Sequence, residues 1–157
     1  MATANAATSF LENRLLSFIF KNNAASFSSP GDNIFVGLAT AVSNFDDSTG
    51  ESGTPAITEA TFTNYARQQV AASDWTLTTD TANTQTCKNT SNIDFPASGG
   101  TNNTITHVFI ATHVSASLDT LGSGGNVLFI GALDASKAIA TGDIFRINAT
   151  NLTIELK

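Results

Sequence analysis

The sequence of 157 residues predicts a mainly β protein: an antiparallel β-sandwich or jelly-roll-like domain with one N-terminal α-helix. Threonine is abundant, with 23 copies, and there are 11 phenylalanines; both residue types favour strands over helices. Helical periodicity is confined to one stretch near the N-terminus. Elsewhere, short apolar segments alternate with turn residues, which is typical of antiparallel sheets.

The N-terminal region predicts a small polar arm over residues 1–8, followed by one helix over Ser9–Lys21. Ser9 and Glu12 have the spacing of a capping box, in which side chains satisfy free backbone N–H groups of the first turn. Lys21 suits the carbonyl end of a helix, and the two asparagines after it predict a stop. Apolar residues at three- and four-residue steps form a stripe that packs either on its own domain or on a neighbouring molecule: Phe10, Leu11, Leu15, Phe18 and Ile19.

Residues 1–24 are therefore expected to form the arm and helix, and residues 25–157 a single β-sandwich domain. The final two strands, separated by the sequence NATN, predict a hairpin. Alternation predicts a core containing Phe35 or Val36 with Val108, Ile110, Leu128, Ile130, Leu152 and Ile154. The predicted strands cover residues 34–42, 61–72, 75–79, 83–95, 104–113, 126–133, 143–147 and 152–156.

The composition excludes several classes of function. Thirteen acidic and seven basic residues give a net charge of −6, and the bases are scattered singly, which argues against binding nucleic acid. A single cysteine excludes an intrachain disulfide and a cysteine-based zinc site. No apolar run approaches the roughly 20 residues that span a membrane. The neutral start of the chain predicts no secretory signal.

Candidate metal ligands fail on spacing. His107 and His113 lie on one predicted strand, six residues apart, so about 20 Å separates them and they cannot share a metal ion. Oxygen ligands crowd the long polar loop at residues 44–55 and suggest calcium, but their spacing matches no twelve-residue calcium loop, and a solvated turn is the better interpretation. These oxygen-bearing residues are Asp46, Asp47, Ser48 and Glu51.

Candidate catalytic motifs are equally weak. The glycine-rich segment at residues 122–125 lacks the Lys-Ser/Thr of a phosphate loop and precedes a predicted strand, so it predicts a hairpin turn. No spacing favours a carboxylate pair for glycoside cleavage among four acids near turns or strand ends. Those acids are Glu59, Asp74, Asp94 and Asp134. The sequence therefore predicts no enzyme and no cofactor.

Short motifs follow one another along nearly the whole chain, from about residue 10 to the end. They are FLENRLL at 10–16, IFVGL at 34–38, YARQ at 65–68, IDFP at 93–96, ITHVFI at 105–110, GNVLFIGAL at 125–133, SK at 136–137 and GD at 142–143. This ordered series resembles a family of small tailed-phage virion proteins, often labelled tail fibre or head decoration proteins. The resemblance implies a structural role in the virion and implies no catalytic residues.

Two functional classes fit that resemblance. We expect a capsid cement or decoration protein on the outer capsid surface, which clamps neighbouring major capsid subunits, because the chain is short and has neither the heptads nor the Gly-x-y run of a fibre shaft. The alternative is a tail fibre or tail-tip module that contacts the host surface. An enzyme such as a glycan depolymerase is a third, more distant class.

The expected partners are the major capsid protein and further copies of the chain itself, as a homodimer or homotrimer, with no nucleic acid and no membrane. The helix stripe is the expected apolar contact between copies. The arm at residues 1–8 and the polar loops at 44–55 and 97–104 are the expected capsid contacts, because the sheet does not need them.

Overall fold

A computed structural model describes residues 5–7, 9–21, 34–43, 56–79, 85–112 and 127–156. These residues form one α-helix and eleven strands, all paired antiparallel, so the predicted mainly β fold is confirmed. A short 3₁₀ turn at Ala72–Asp74 leads into the fifth strand. The elements are β1 (Asn5–Ala7), α1 (Ser9–Lys21), β2 (Phe35–Ser43), β3 (Ala56–Glu59), β4 (Gln68–Gln69), β5 (Trp75–Thr79), β6 (Gln85–Asn89), β7 (Ile93–Asp94), β8 (Asn103–Ala111), β9 (Val127–Ile139), β10 (Arg146–Ile147) and β11 (Thr153–Leu156).

The largest sheet has the order β1-β9-β8-β2-β3, and β4 pairs with the start of β2. Two smaller sheets, β10-β7 and β11-β6-β5, contain the remaining described strands. Helix α1 matches the predicted bounds Ser9–Lys21, and β5 matches the predicted strand 75–79. Strand β9 continues six residues beyond its predicted end at residue 133.

The core covers both faces of the large sheet. Residues Phe35–Ala39 of β2 and Val108–Ala111 of β8 are buried without interruption, because these central strands have neighbours above and below. The larger apolar cluster joins β2 and β8 to the small sheets; its members include Val36, Leu38, Val108, Ile93, Phe95, Phe145 and Ile147. The smaller cluster lies on the other face and contains Ala39, Phe109, Ala111, Val127 and Ile130.

Five of the predicted core residues are buried, namely Phe35, Val36, Val108, Ile110 and Ile130. Three other residues of the predicted core are less buried than expected. Leu128, Leu152 and Ile154 are only half-buried, because strict alternation does not reveal where the second layer stops covering a strand. Leu152 and Ile154 instead border a cleft.

The predicted strand over residues 61–72 is wrong, since only Gln68–Gln69 pair as a strand. A turn occupies residues 63–64, and Asn64 adopts a left-handed conformation with φ of 76°, which asparagine tolerates well. The backbone N–H groups of Thr61 and Phe62 donate to Asn103 Oδ1 at 2.7 and 2.9 Å. One distant side chain thus replaces the strand ladder that the local sequence favoured.

The predicted C-terminal hairpin is also wrong. Strand β10 pairs with β7, whereas β11 pairs with β6. Asn89, the last residue of β6, is fully buried and binds the connection between β10 and β11. Its side-chain amide donates to Asn148 O at 3.0 Å, and its Oδ1 accepts from the Leu152 N–H at 2.9 Å. These hydrogen bonds hold the connection against β6, so β11 leaves β10 and joins another sheet.

Several sequence predictions fall outside the described residues: the polar loop at 44–55, the glycine-rich segment at 122–125, His113 and most of the arm at 1–8. The division at residue 24 into an arm with helix and a sandwich domain stays a prediction. In the part of the chain that the structure describes, no helix combines the length and apolar character needed to cross a bilayer.

Candidate assembly site: the helix and the neighbouring cleft

The second half of α1 carries large apolar side chains that face solvent. Among the described residues, five of the seven exposed large hydrophobic side chains belong to this helix, and their exposed fractions are 37% for Leu15, 55% for Leu16, 46% for Phe18, 56% for Ile19 and 78% for Phe20. Together they expose on the order of 500 Å² if a fully exposed large side chain offers about 200 Å². That area lies within the range of the largest apolar patches on soluble proteins, which are often functional.

The exposure differs between two faces of the helix. At 100° per residue, Leu11, Leu15 and Phe18 cluster on one face, where Leu11 is half-buried. Leu16, Ile19 and Phe20 cluster on the adjacent face and are the more exposed set. The predicted stripe included Ile19 but missed Leu16 and Phe20. The run LLSFIF at residues 15–20 is the signal that could have found them. Its apolar residues lie on several sides of the helix, and this pattern is typical of a helix that is buried.

Helix α1 packs chiefly on β9, the strand that also pairs with β1. The N-terminal elements therefore lie at one edge of the large sheet, where Ala6 is the register partner of Ile130. The predicted stripe member Phe10 lies in the helix. The role of the stripe in contacts between copies stays a prediction.

A cleft of about 1050 Å³ opens at this same edge, between β9 and the C-terminal strands. Apolar residues of β8, β9 and the C-terminal segment line it, among them Ile110, Phe129, Leu133, Leu152 and Ile154. Polar residues line it as well, including Asp134, Arg146, Asn148, Asn151 and Glu155. The cleft is therefore a concave surface with mixed apolar and polar lining, and it is a candidate contact site.

The polar lining of the cleft is acidic in balance. Arg146 forms an ion pair with Asp94 across β7 and β10, with 2.8 Å between Arg146 Nη2 and Asp94 Oδ2. The hydrogen bonds from Arg146 hold the pKa of Asp94 below its ordinary value. Since Asp94 balances the charge of Arg146, the exposed carboxylate of Asp134 adds negative charge to the cleft.

A buried polar network explains the Tyr-Ala-Arg motif. The Tyr65 hydroxyl accepts a hydrogen bond from the Leu38 N–H at 2.9 Å and donates to Glu59 Oε1 at 2.7 Å. Arg67 donates to both Glu59 oxygens, at 2.8 and 2.9 Å, and its guanidinium lies 5.4 Å from the centre of the Phe109 ring. The side chain of Arg67 is 4% exposed. The motif therefore has a structural role, because Tyr65 and Arg67 both bind Glu59 at the end of β3.

The remaining sequence candidates are separated by the fold. His107 is half-buried on β8, where Nδ1 lies 2.8 Å from Thr106 Oγ1 and burial lowers the pKa of the imidazole. Asp74 accepts a hydrogen bond from Ser91 at 3.3 Å. Of the four acids considered for catalysis, Glu59 and Asp94 bind different arginines and Asp134 borders the cleft. Among the described residues, no group of three or more His, Cys, Asp or Glu side chains is placed to hold a metal ion.

Residues 6–155 match a protein-family model described as podophage GP4 fiber I protein gp80. The chain belongs to this family. The match includes α1, every strand from β2 to β10 and most of β11, so it covers the helix, the polar network and the cleft together. Membership supports a structural protein of the phage virion and fits the fibre label in the sequence resemblance. No match was found among curated proteins.

Proposed function

We propose that this protein is a non-enzymatic fibre subunit of the phage tail, part of the structure through which the particle contacts its host. The observation that carries the proposal is the family match over residues 6–155, because the matched family is described as a fibre protein. It favours the tail-fibre alternative over the capsid cement that we expected from chain length. The major capsid protein accordingly has no part in this proposal.

The use of charged side chains supports a structural role. Glu59, the last residue of β3, is engaged by Tyr65 and Arg67, and Asp94 is engaged by Arg146. Acid–base catalysis needs titratable groups that reach a substrate with a tuned pKa. Here two candidate acids bind cations of the fold, which is what a rigid scaffold requires.

The exposed helix supports assembly from several copies. An apolar surface of about 500 Å² on α1 is costly in water, at roughly 25 cal/mol per Å², and becomes favourable when a partner covers it. Most soluble oligomers are homo-oligomers with closed symmetry, so a second copy of the chain is a natural partner for this surface. We therefore include self-association through α1, as a dimer or trimer, in the proposed function.

The test is to compare virions that contain this protein with virions that lack it. For a fibre subunit, we expect reduced adsorption to host cells and unchanged survival of heat and osmotic shock. Supplying the wild-type protein during infection restores adsorption. Full adsorption combined with fragile capsids would instead support the cement function. Electron microscopy of particles labelled with an antibody against the protein locates it on the tail or on the capsid independently.

A further inference from the structure

We infer that the C-terminal half of α1 docks into the C-terminal cleft of a second copy of the chain. The inference rests on the self-association proposed above, and it names the surface that receives the helix. Leu16, Ile19 and Phe20 have the spacing i, i+3 and i+4, which is the pattern by which an amphipathic helix inserts into an apolar groove. They are also the three most exposed large side chains of the helix.

The cleft matches these side chains in size and chemistry. Its volume of about 1050 Å³ slightly exceeds the usual range of small-molecule pockets, so it can admit the anchors of one helical turn. Leu133, Leu152 and Ile154, in its wall, are each only half-buried. When the exposed side chains of the helix pack against these half-buried residues, both apolar surfaces are removed from water. Removal of apolar surface from water is the main favourable contribution to association.

Charge favours the same pairing. Lys21 is exposed and follows directly after Phe20 at the end of α1, so it enters the contact beside the inserted turn. Asp134 is exposed and lines the cleft, where its carboxylate adds negative charge. A positive helix end meeting an acidic cleft orients the contact and accelerates encounter, with strong dependence on salt.

Geometry favours a second copy over the same chain as the source of the helix. Ala7 lines the cleft, and α1 begins two residues later at Ser9, so the helix starts at the cleft margin. The exposure of Leu16 and Phe20 places them outside the cleft of their own chain. Because helix and cleft are different patches, the contact is head-to-tail, and it closes as a reciprocal dimer or a ring.

The test uses two variants of the full chain and sedimentation at tens of micromolar. The helix variant carries Leu16→Asp and Phe20→Asp and keeps its cleft intact. The cleft variant carries Gly131→Phe, which places a ring among the lining residues and keeps its helix intact. We expect wild type to be oligomeric, each variant alone to be monomeric, and an equimolar mixture to form a heterodimer through the one intact helix and the one intact cleft.

Each other outcome overturns something specific. A monomeric wild type contradicts self-association itself. A cleft variant that stays oligomeric shows contact between helices and overturns docking in the cleft, while self-association survives. A mixture of the two folded variants that stays monomeric also overturns docking of the helix in the cleft. Circular dichroism and thermal unfolding of each variant establish that it is folded.

Cross-linking provides a second measurement that does not depend on disruptive variants. In a Cys87→Ser background, a chain with Phe20→Cys is mixed with one carrying Leu133→Cys and oxidised. We expect a disulfide-linked heterodimer between the two. Cross-linking of Phe20→Cys chains to each other, with none to Leu133→Cys, would overturn the inference. Lys21→Glu should weaken wild-type association at least several-fold, and adding Asp134→Lys should recover part of it.

Discussion

The ring of Phe109 fills the space above Gly37 across the β2–β8 pair. The two residues are register partners, and a Cβ atom on residue 37 would overlap the Phe109 ring. The guanidinium of Arg67 lies over the same ring, and Arg67 in turn binds Glu59. A glycine, an aromatic ring and a buried ion pair thus join the two central strands to the segment after β3.

Gly37→Ala should lower the free energy of unfolding by about 1–3 kcal/mol, because the Phe109 ring must move or the strands must separate. In a chain that already carries Phe109→Ala, the ring is gone and the same change should cost little. Urea unfolding of the wild type, both single variants and the double variant measures this coupling. An equal cost of Gly37→Ala in both backgrounds would contradict the proposed contact.

Glu59→Gln should lower the free energy of unfolding by about 3 kcal/mol, because it removes the negative charge that binds the buried Arg67 guanidinium. Asp94→Asn is the matched control, since it breaks the ion pair with Arg146, whose side chain is 51% exposed. Solvent screens that pair, so the control should change stability little. Equal losses for the two variants, measured by urea unfolding, would show that burial of Arg67 does not matter.

Alkaline pH should destabilise the protein through Tyr65. Burial raises the pKa of this phenol above its ordinary value, so above about pH 10 the unfolded chain releases a proton that the folded chain keeps. Stability must then fall as pH rises, by at most about 1.4 kcal/mol per pH unit from this group. Tyr65→Phe should be less stable at neutral pH, and its free energy of unfolding should lack this contribution to the dependence on pH.

Because Tyr65 is the only tyrosine in the chain, the ultraviolet absorbance of phenolate reports on it alone. We expect that absorbance to appear together with unfolding in an alkaline titration followed by circular dichroism. Phenolate appearing near pH 10 in a chain that is still folded would contradict a buried hydroxyl.

Asn89→Ala should lower the free energy of unfolding by about 2–4 kcal/mol, because it removes three hydrogen bonds of a fully buried amide. The groups affected are the carbonyls of Ser91 and Asn148 and the N–H of Leu152. Hydrogen exchange at Leu152 should accelerate more than exchange in β8. Asn92→Ala is the control, since this exposed residue accepts a hydrogen bond from Ala149 at 2.9 Å; its loss should cost about 1 kcal/mol or less. Unchanged exchange at Leu152 would count against the anchoring role of Asn89.

The sequence by itself determined the elements whose signals are local. The capping residues Ser9 and Glu12 and the position of Lys21 predicted the helix bounds, and alternation located β2, β5 and β8 to within about two residues. These signals depend on neighbours within one turn or one strand, and such neighbours are visible along the chain. The ordered motifs also indicated a phage virion family, which the family match supports.

Tertiary structure alone decided which segments pair and which side chains remain uncovered. Asn103 accepts hydrogen bonds from the backbone N–H groups of Thr61 and Phe62, about 40 positions away. Asn89 binds Asn148 and Leu152, about 60 positions away, and so holds β11 beside β6 and apart from β10. Periodicity carries no record of such partners. The same holds for Leu16 and Phe20: the sequence shows that they are apolar, but their exposure depends on which strands pack against the helix, because burial is a property of the assembled layers.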